Sequence, residues 1–226
     1  MLIEDHFFQK YRKVLSECPL FQGIAPLDQK RVMECLKGRS LKVPKGDTVF
    51  WEGDPAWFVG IVLSGAVQVV REDYYGNRSV MGLLMPGELF AEAFACAGIK
   101  TLPVSAVAKQ DSEVLFLDCR YVMTSCTKAC YFHHLLIRNL LQEIAQKNLI
   151  LSQKIRYMSE KTTKEKLMSY LLDQAKKQGS QEFTIPYDRQ SLADYLGVER
   201  SAMSAEIGKL KKAGVIDTKG AWFLLK

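Results

Sequence analysis

Arg200, Ser201, Ser204 and Lys211 lie on one side of a segment whose other side is apolar at helical spacing: Val198, Met203, Ile207 and Leu210. Such a helix can lay its apolar face on a core and present donors outward. Arginine can give a guanine edge a bidentate pair, and the serines can reach bases or phosphates, so the pattern suits a polyanion. Upstream, Asp188 can N-cap a helix running through Tyr195. Gly197 supplies a sharp turn, and Ala193 is small where two helices must approach. Gly214 ends the second helix, and Val215 to Leu224 reads as a two-stranded wing turning at Lys219-Gly220. Arg189 and Gln190, at the start of the first helix, are placed to meet a phosphate. With Ala205 and Lys209 on the second helix, these residues form the candidate duplex-contacting set.

Charge points the same way. Gln153 to Lys226 holds 14 Lys and Arg against 9 Asp and Glu, an excess of 5 out of a net +6 for the 226-residue chain. Other chemistries find little support. There is no Ser-His-Asp arrangement, phosphate-binding loop, dinucleotide fingerprint or metal-hydrolase helix, so an enzyme is not expected. His6, His133 and His134 do not make a metal set, because adjacent histidines point to different faces of a helix. Six cysteines (Cys18, Cys35, Cys96, Cys119, Cys126, Cys130) contain no C-x-x-C pair. With no signal peptide and no apolar run long enough to span a bilayer, the expectation is a cytoplasmic protein with reduced thiols and no membrane partner. The spacing of Cys119, Cys126 and Cys130 leaves thiol sensing as the alternative use of the chain.

The elements that must position the C-terminal donors are legible upstream. Residues 9–40 read as short helices, one of them over Pro26 to Leu36 with Leu27, Val32 and Leu36 apolar. From Leu41 to Leu117, short β-branched or aromatic runs alternate with glycine turns, which argues for a barrel or sandwich. Tyr75-Gly76-Asn77-Arg78 reads as a hairpin turn. After Cys119 glycine vanishes until Gly179, and Ile137, Leu141, Ile144, Asn148, Leu151, Ile155 and Met158 step by 4 and 3 in alternation. That is a heptad seam with one polar member of the kind that fixes register, and it predicts a homodimer. A polar stretch at Lys161-Thr162-Thr163 suggests a hinge, and a helix follows over Lys164 to Lys177. The expected organisation is therefore α+β: a β-rich domain with N-terminal helices over 1–128, a dimerisation helix over 129–160 and a winged helix-turn-helix over 161–226.

Taken together, these features resemble the cyclic-AMP-receptor / FNR (Crp/Fnr) family of winged-helix regulators over nearly the whole chain. The resemblance is carried by Gly46, Gly65 and Gly87, by Glu52-Gly53-Asp54, Leu63-Ser64-Gly65 and Pro86-Gly87-Glu88-Leu89-Phe90, by the long helix, and by the helix-turn-helix. It implies a jelly-roll (double-stranded β-helix) sensor like a cyclic-nucleotide-binding domain. It also implies a palindromic DNA operator, RNA polymerase as a partner, and a small-molecule effector in the roll beside the long helices. The effector set it points to is Leu83, Gly87, Glu88, Leu89, Phe90, Glu92, Leu102 and Ser105 in the roll, with Leu151 and Ser152 on the long helix. Glu92 matches the family's ribose-binding glutamate. The Arg-Ser pair that holds the cyclic phosphate is replaced by Leu102-Pro103, and proline has no backbone N–H. Cyclic AMP is therefore not the expected effector, and an apolar or aromatic molecule is. An iron–sulfur cluster is not expected either, because Cys18 and Cys35 depart from the ligand spacing of FNR-type sensors. Where relatives carry arginine after the serine of the recognition helix this chain has Ala205, so its operator should differ from theirs.

Overall fold

The computed structural model describes residues 5–72, 74–75, 78–123 and 131–226. The chain divides into two units, 1–145 and 146–226, and the boundary falls inside the long helix. That helix is therefore shared between the units rather than forming a third.

The first unit opens with α1 (Asp5–Glu17), a 3-10 turn (Pro19–Phe21) and α2 (Pro26–Cys35). Of the apolar residues predicted for α2, Val32 and Leu36 are buried while Leu27 faces solvent. Eight strands follow: β1 (Arg39–Val43), β2 (Thr48–Phe50), β3 (Phe58–Ser64), β4 (Val67–Glu72), β5 (Arg78–Leu84), β6 (Leu89–Phe90), β7 (Ser105–Ala108) and β8 (Ser112–Asp118). They form two antiparallel four-stranded sheets, ordered β1-β8-β3-β6 and β2-β7-β4-β5. Gly76 and Asn77, the centre of the predicted hairpin turn, lie outside the described residues.

The central strands of the first sheet, β3 and β8, are buried on both faces while edge strand β1 is largely exposed, which explains the unbroken apolar run Phe58-Val59-Gly60-Ile61-Val62-Leu63. Side chains alternate along a strand. Val59, Ile61 and Leu63 join a cluster with α1, α2 and the start of the long helix, while Phe58 and Val62 join the second sheet's Val49, Phe50, Val67 and Ala106. Between the sheets, Phe50, Phe58, Phe90 and Phe116 interlock with ring centroids 4.9–6.1 Å apart. Gly60 is what admits Phe90, because a Cβ there would lie 2.0 Å from its ring. A short helix, α3 (Glu92–Cys96), interrupts the strands between β6 and β7, and another, α4 (Cys119–Met123), follows β8.

The long helix α5 (Tyr131–Ser159) is rooted in the first unit by Leu135, Leu136 and Leu140. A polar anchor accompanies them: buried Asn139 donates to the carbonyls of Leu20 and Gln22 at 3.0 and 2.8 Å. The second unit adds α6 (Thr163–Gln178), β9 (Glu182–Thr184), α7 (Arg189–Leu196), α8 (Arg200–Lys212), β10 (Ile216–Lys219) and β11 (Trp222–Leu225). At the predicted hinge, Thr162 and Glu165 form a reciprocal capping box that starts α6.

Candidate nucleic-acid interface and sensor interior

In the second unit, α7 and α8 are set by their ends and their buried faces. Asp188 accepts the Ser191 N–H at 2.7 Å, and the N–H groups that hold its carboxylate keep it below the usual carboxylate range. Gly197 closes α7 in the left-handed region, and Met158 of α5 sits directly beneath it, where a Cβ would lie 2.9 Å from its methyl. Leu192, Ala193 and Leu196 of α7 meet Met203, Ile207 and Leu210 of α8 in one core. What α8 then turns outward is Arg200, Ser201, Ser204 and Ala205, all exposed. Arg200 stands at its first turn, where a groove-docked helix meets base edges.

The wing is larger than the sequence suggests. β9 adds to β10 and β11 to make a three-stranded sheet in the order β10-β11-β9, with Phe183 opposite Phe223. Four of the predicted duplex-contacting residues serve this wing or a neighbour. Arg189 does not project into solvent: it is half-buried, its guanidinium lies 4.9 Å over the Phe223 ring, and it donates to Thr218 Oγ1 at 2.8 Å. A planar, weakly hydrated cation beside folded-back strands stacks in this way, and burial holds its pKa below the usual arginine value. Lys211 pairs with Asp217 at 2.7 Å and donates to the Thr218 carbonyl, holding the end of α8 to β10. Lys209 pairs with Glu206 at 2.5 Å along its own helix. Gln190 donates to Asp194 at 2.8 Å.

Tyr157, Tyr170, Tyr187 and Tyr195 form a ring cluster joining α5, α6 and α7. Tyr157 donates to Asp173 at 2.7 Å, and burial together with that carboxylate pushes its phenol up to about 12. The predicted seam on α5 is uneven. Ile137, Leu141, Leu151, Ile155 and Met158 are exposed apolar residues, and Asn148 is exposed among them. Ile144 departs from the series, because it is partly buried against the core of the first unit.

The predicted effector residues in the roll do not converge on one open pocket. Phe90 and Leu102 belong to the same buried cluster, and Leu102 is 1% exposed. Leu89, one residue from Phe90, points to the opposite face of the sheet and packs in the cluster with the helices. Leu83 is exposed on β5, where Leu84 takes the inward position. Gly87 occupies a tight turn at φ 91°, and its N–H reaches the Val62 carbonyl at 2.8 Å. Glu88 is exposed and accepts the Met85 N–H in the same turn. Ser105 accepts the Glu52 N–H at 2.8 Å. Glu92 is buried at the start of α3, just after Ala91, which adopts a left-handed backbone (φ 62°). Leu151 and Ser152 are exposed and belong to the second unit. A cyclic phosphate does not fit residues of this kind: the position of its arginine is apolar core, and a buried anion without a paired cation is strongly disfavoured. One open cavity of the unit, of about 420 Å³, lies elsewhere, between the edge strands β1 and β2, floored by Phe50, Trp57, Phe58 and Phe116 with Arg39 at its rim.

Cys18 is fully buried in the helical core, and Cys126 and Cys130 lie outside the described residues. No group of three or more His, Cys, Asp or Glu is placed to hold a metal ion among the described residues.

Comparison with known proteins gives both units a family. Residues 40–126 match the cyclic nucleotide-binding domain, and residues 165–226 match the Crp-like helix-turn-helix domain. The chain belongs to the Crp/Fnr family. This Crp/Fnr regulator is 26% identical to the transcriptional activator protein FnrL of Cereibacter sphaeroides, over 93% of this chain and 82% of that one. It is also 26% identical to the transcriptional activator protein anr of Pseudomonas aeruginosa, over 91% and 85%. Among solved structures, the c-di-GMP responsive regulator CLP of Xanthomonas campestris shares the fold with a TM-score of 0.57 at 19% identity, covering 86% of this chain and 97% of that one. The Crp/Fnr assignment makes the chain a DNA-binding transcription regulator with a sensor domain like those that bind cyclic nucleotides. No described helix is long and apolar enough to cross a membrane.

Proposed function

We propose that this regulator works as a homodimer in the cytoplasm, without catalysis of its own. It would place α8 of each protomer in successive major grooves of a palindromic operator and act on RNA polymerase there. The observation that carries this reading is the outer face of α8. Arg200, Ser201, Ser204 and Ala205 are exposed together while Met203, Ile207 and Leu210 fix the helix from behind. The exposed apolar members of the α5 seam support pairing with a second copy. Two recognition helices then meet half-sites about 34–36 Å apart, one helical turn of duplex.

Control comes from a small molecule that binds one arrangement of the dimer better than the other. The filled, arginine-free roll interior argues against cyclic AMP and for an apolar or aromatic effector. The aromatic-floored cavity beside Arg39 has the volume and lining such a molecule needs. The test is a gel shift of the full chain on the promoter of its own gene, titrated with salt. Specific binding that weakens steeply with salt, through release of counterions, is the expected outcome. A protein that shows no preference for any duplex, with or without cell metabolites, refutes the reading.

A further inference from the structure

Two cysteines unused by DNA binding meet in the sensor domain. Cys96 ends α3 and Cys119 opens α4, 23 residues later, and their sulfurs lie 3.8 Å apart. The fold sets this distance from both sides. The Cys119 N–H is tied to the Trp57 carbonyl at 2.9 Å, and α3 is closed around Cys96 by the N–H groups of Ala95 and Ala97 reaching back to Ala91 and Ala93. The two thiols differ in setting. Cys119 is buried at the wall of a cavity of about 390 Å³ that also touches Trp57, Lys100 and Arg120, whereas Cys96 is half-buried. The contact makes them unequal in acidity as well: Cys96, stabilised by the hydrogen bond from Cys119, moves down, and Cys119 moves up through that bond and through burial.

We propose that Cys96 and Cys119 are a reversible dithiol–disulfide pair, with half-buried Cys96 as the thiol that meets a peroxide and buried Cys119 as the resolving thiol. The Cys96 thiolate attacks one peroxide oxygen and the O–O bond breaks. The departing hydroxide takes a proton and leaves as water, and Cys96 becomes a sulfenic acid. The Cys119 sulfur then attacks the sulfenyl sulfur and loses its proton, and a second water departs. Two thiols and one peroxide give one disulfide and two waters, a balanced two-electron exchange. Closure needs the sulfurs to approach from 3.8 Å to about 2.05 Å. Bonded, the pair would clamp α3, the helix that follows the roll's turn, to α4. This assigns a modification site within the sensor and is independent of which duplex the protein reads.

Trypsin places each of the six cysteines in its own peptide, so the pairing can be read directly. The reduced full chain is treated with hydrogen peroxide, alkylated and mapped without reductant by mass spectrometry. The expected product links the peptide 79–100 to the peptide 110–120, titratable thiols fall from six to four, and dithiothreitol restores them. In Cys119→Ser, dimedone should label Cys96, because the sulfenic acid has lost its resolving partner. In Cys96→Ser the link and the loss of thiols should vanish while far-ultraviolet circular dichroism is retained. The proposal is overturned if peroxide links other cysteines of the wild-type chain in preference, or if Cys96 is oxidised no faster than exposed Cys35. The wild-type map decides the matter even if a serine variant fails to fold.

Discussion

Leu151→Ala tests the seam of α5 quantitatively. The substitution removes three carbons, worth about 2.4 kcal/mol on full burial at about 0.8 kcal/mol per methylene. Leu151 is 58% exposed in the single chain, so only that share remains for a partner to cover, about 1.4 kcal/mol. Twofold symmetry changes both copies, giving about 3 kcal/mol, or about 100-fold in the dimer Kd. Sedimentation equilibrium of the full chain over a range of concentrations reads this directly, with circular dichroism to confirm that α5 stays helical. Ile144→Ala is the informative contrast. Ile144 is already partly packed in the core of the first unit, so its loss should lower the unfolding free energy as well as the association. The reasoning fails if Leu151→Ala leaves the Kd unchanged, or if the wild-type chain sediments as a monomer throughout.

Arg200→Ala should weaken operator binding by about 1–3 kcal/mol and relax preference at one base pair, as read by gel shift on single-base variants; unchanged affinity would remove Arg200 from the interface. Gly60→Ala should cost about 1–3 kcal/mol, because its Cβ would overlap the Phe90 ring, and Phe90→Leu in the same chain should recover part of that loss in urea unfolding. Burial alone would raise buried Glu113, but hydrogen bonds from Tyr11 (2.5 Å) and Lys10 (3.0 Å) outweigh it and hold the carboxyl below its usual range. A depressed carboxyl stabilises the fold above the unfolded value of about 4.3 and loses that effect as pH falls through the folded one. Tyr11→Phe should therefore cost about 1.5–3 kcal/mol at neutral pH and less near pH 3, where equal costs in urea unfolding would count against the network.

The parts legible in the sequence are those set by local chemistry. Asp188 and Gly197 marked the helix-turn-helix because a cap and a left-handed turn are properties of single residues. The roll strands stood out because glycine turns separate β-branched runs, and α6 was placed within a residue of each end. What escaped depends on distant partners. β9 is three residues long and exists as a strand only through pairing with β11. Arg189 looked solvent-directed because nothing local shows that Phe223 lies under it. Asn139 gave no signal until the turn at Leu20 and Gln22 came beneath it. The meeting of Cys96 and Cys119 needed the tertiary fold. The effector positions came from resemblance, and the aromatic filling of this roll separates several of them: Leu83, Glu88 and Leu89 face away from Phe90 and Leu102 or lie outside their cluster.

The central strands of the sensor's first sheet, β3 and β8, have no idle side. β3 presses aromatic rings with Phe58 and the base of α5 with Val59, Ile61 and Leu63. A shift among the rings therefore has no soft layer in which to dissipate, since close-packed interiors transmit strain. On the function proposed above, β3 is a diaphragm between the ring cluster beside the aromatic cavity and the base of α5. Variation at Phe116 or Phe90 should accordingly register first as altered seating of the stem, before any loss of the barrel itself.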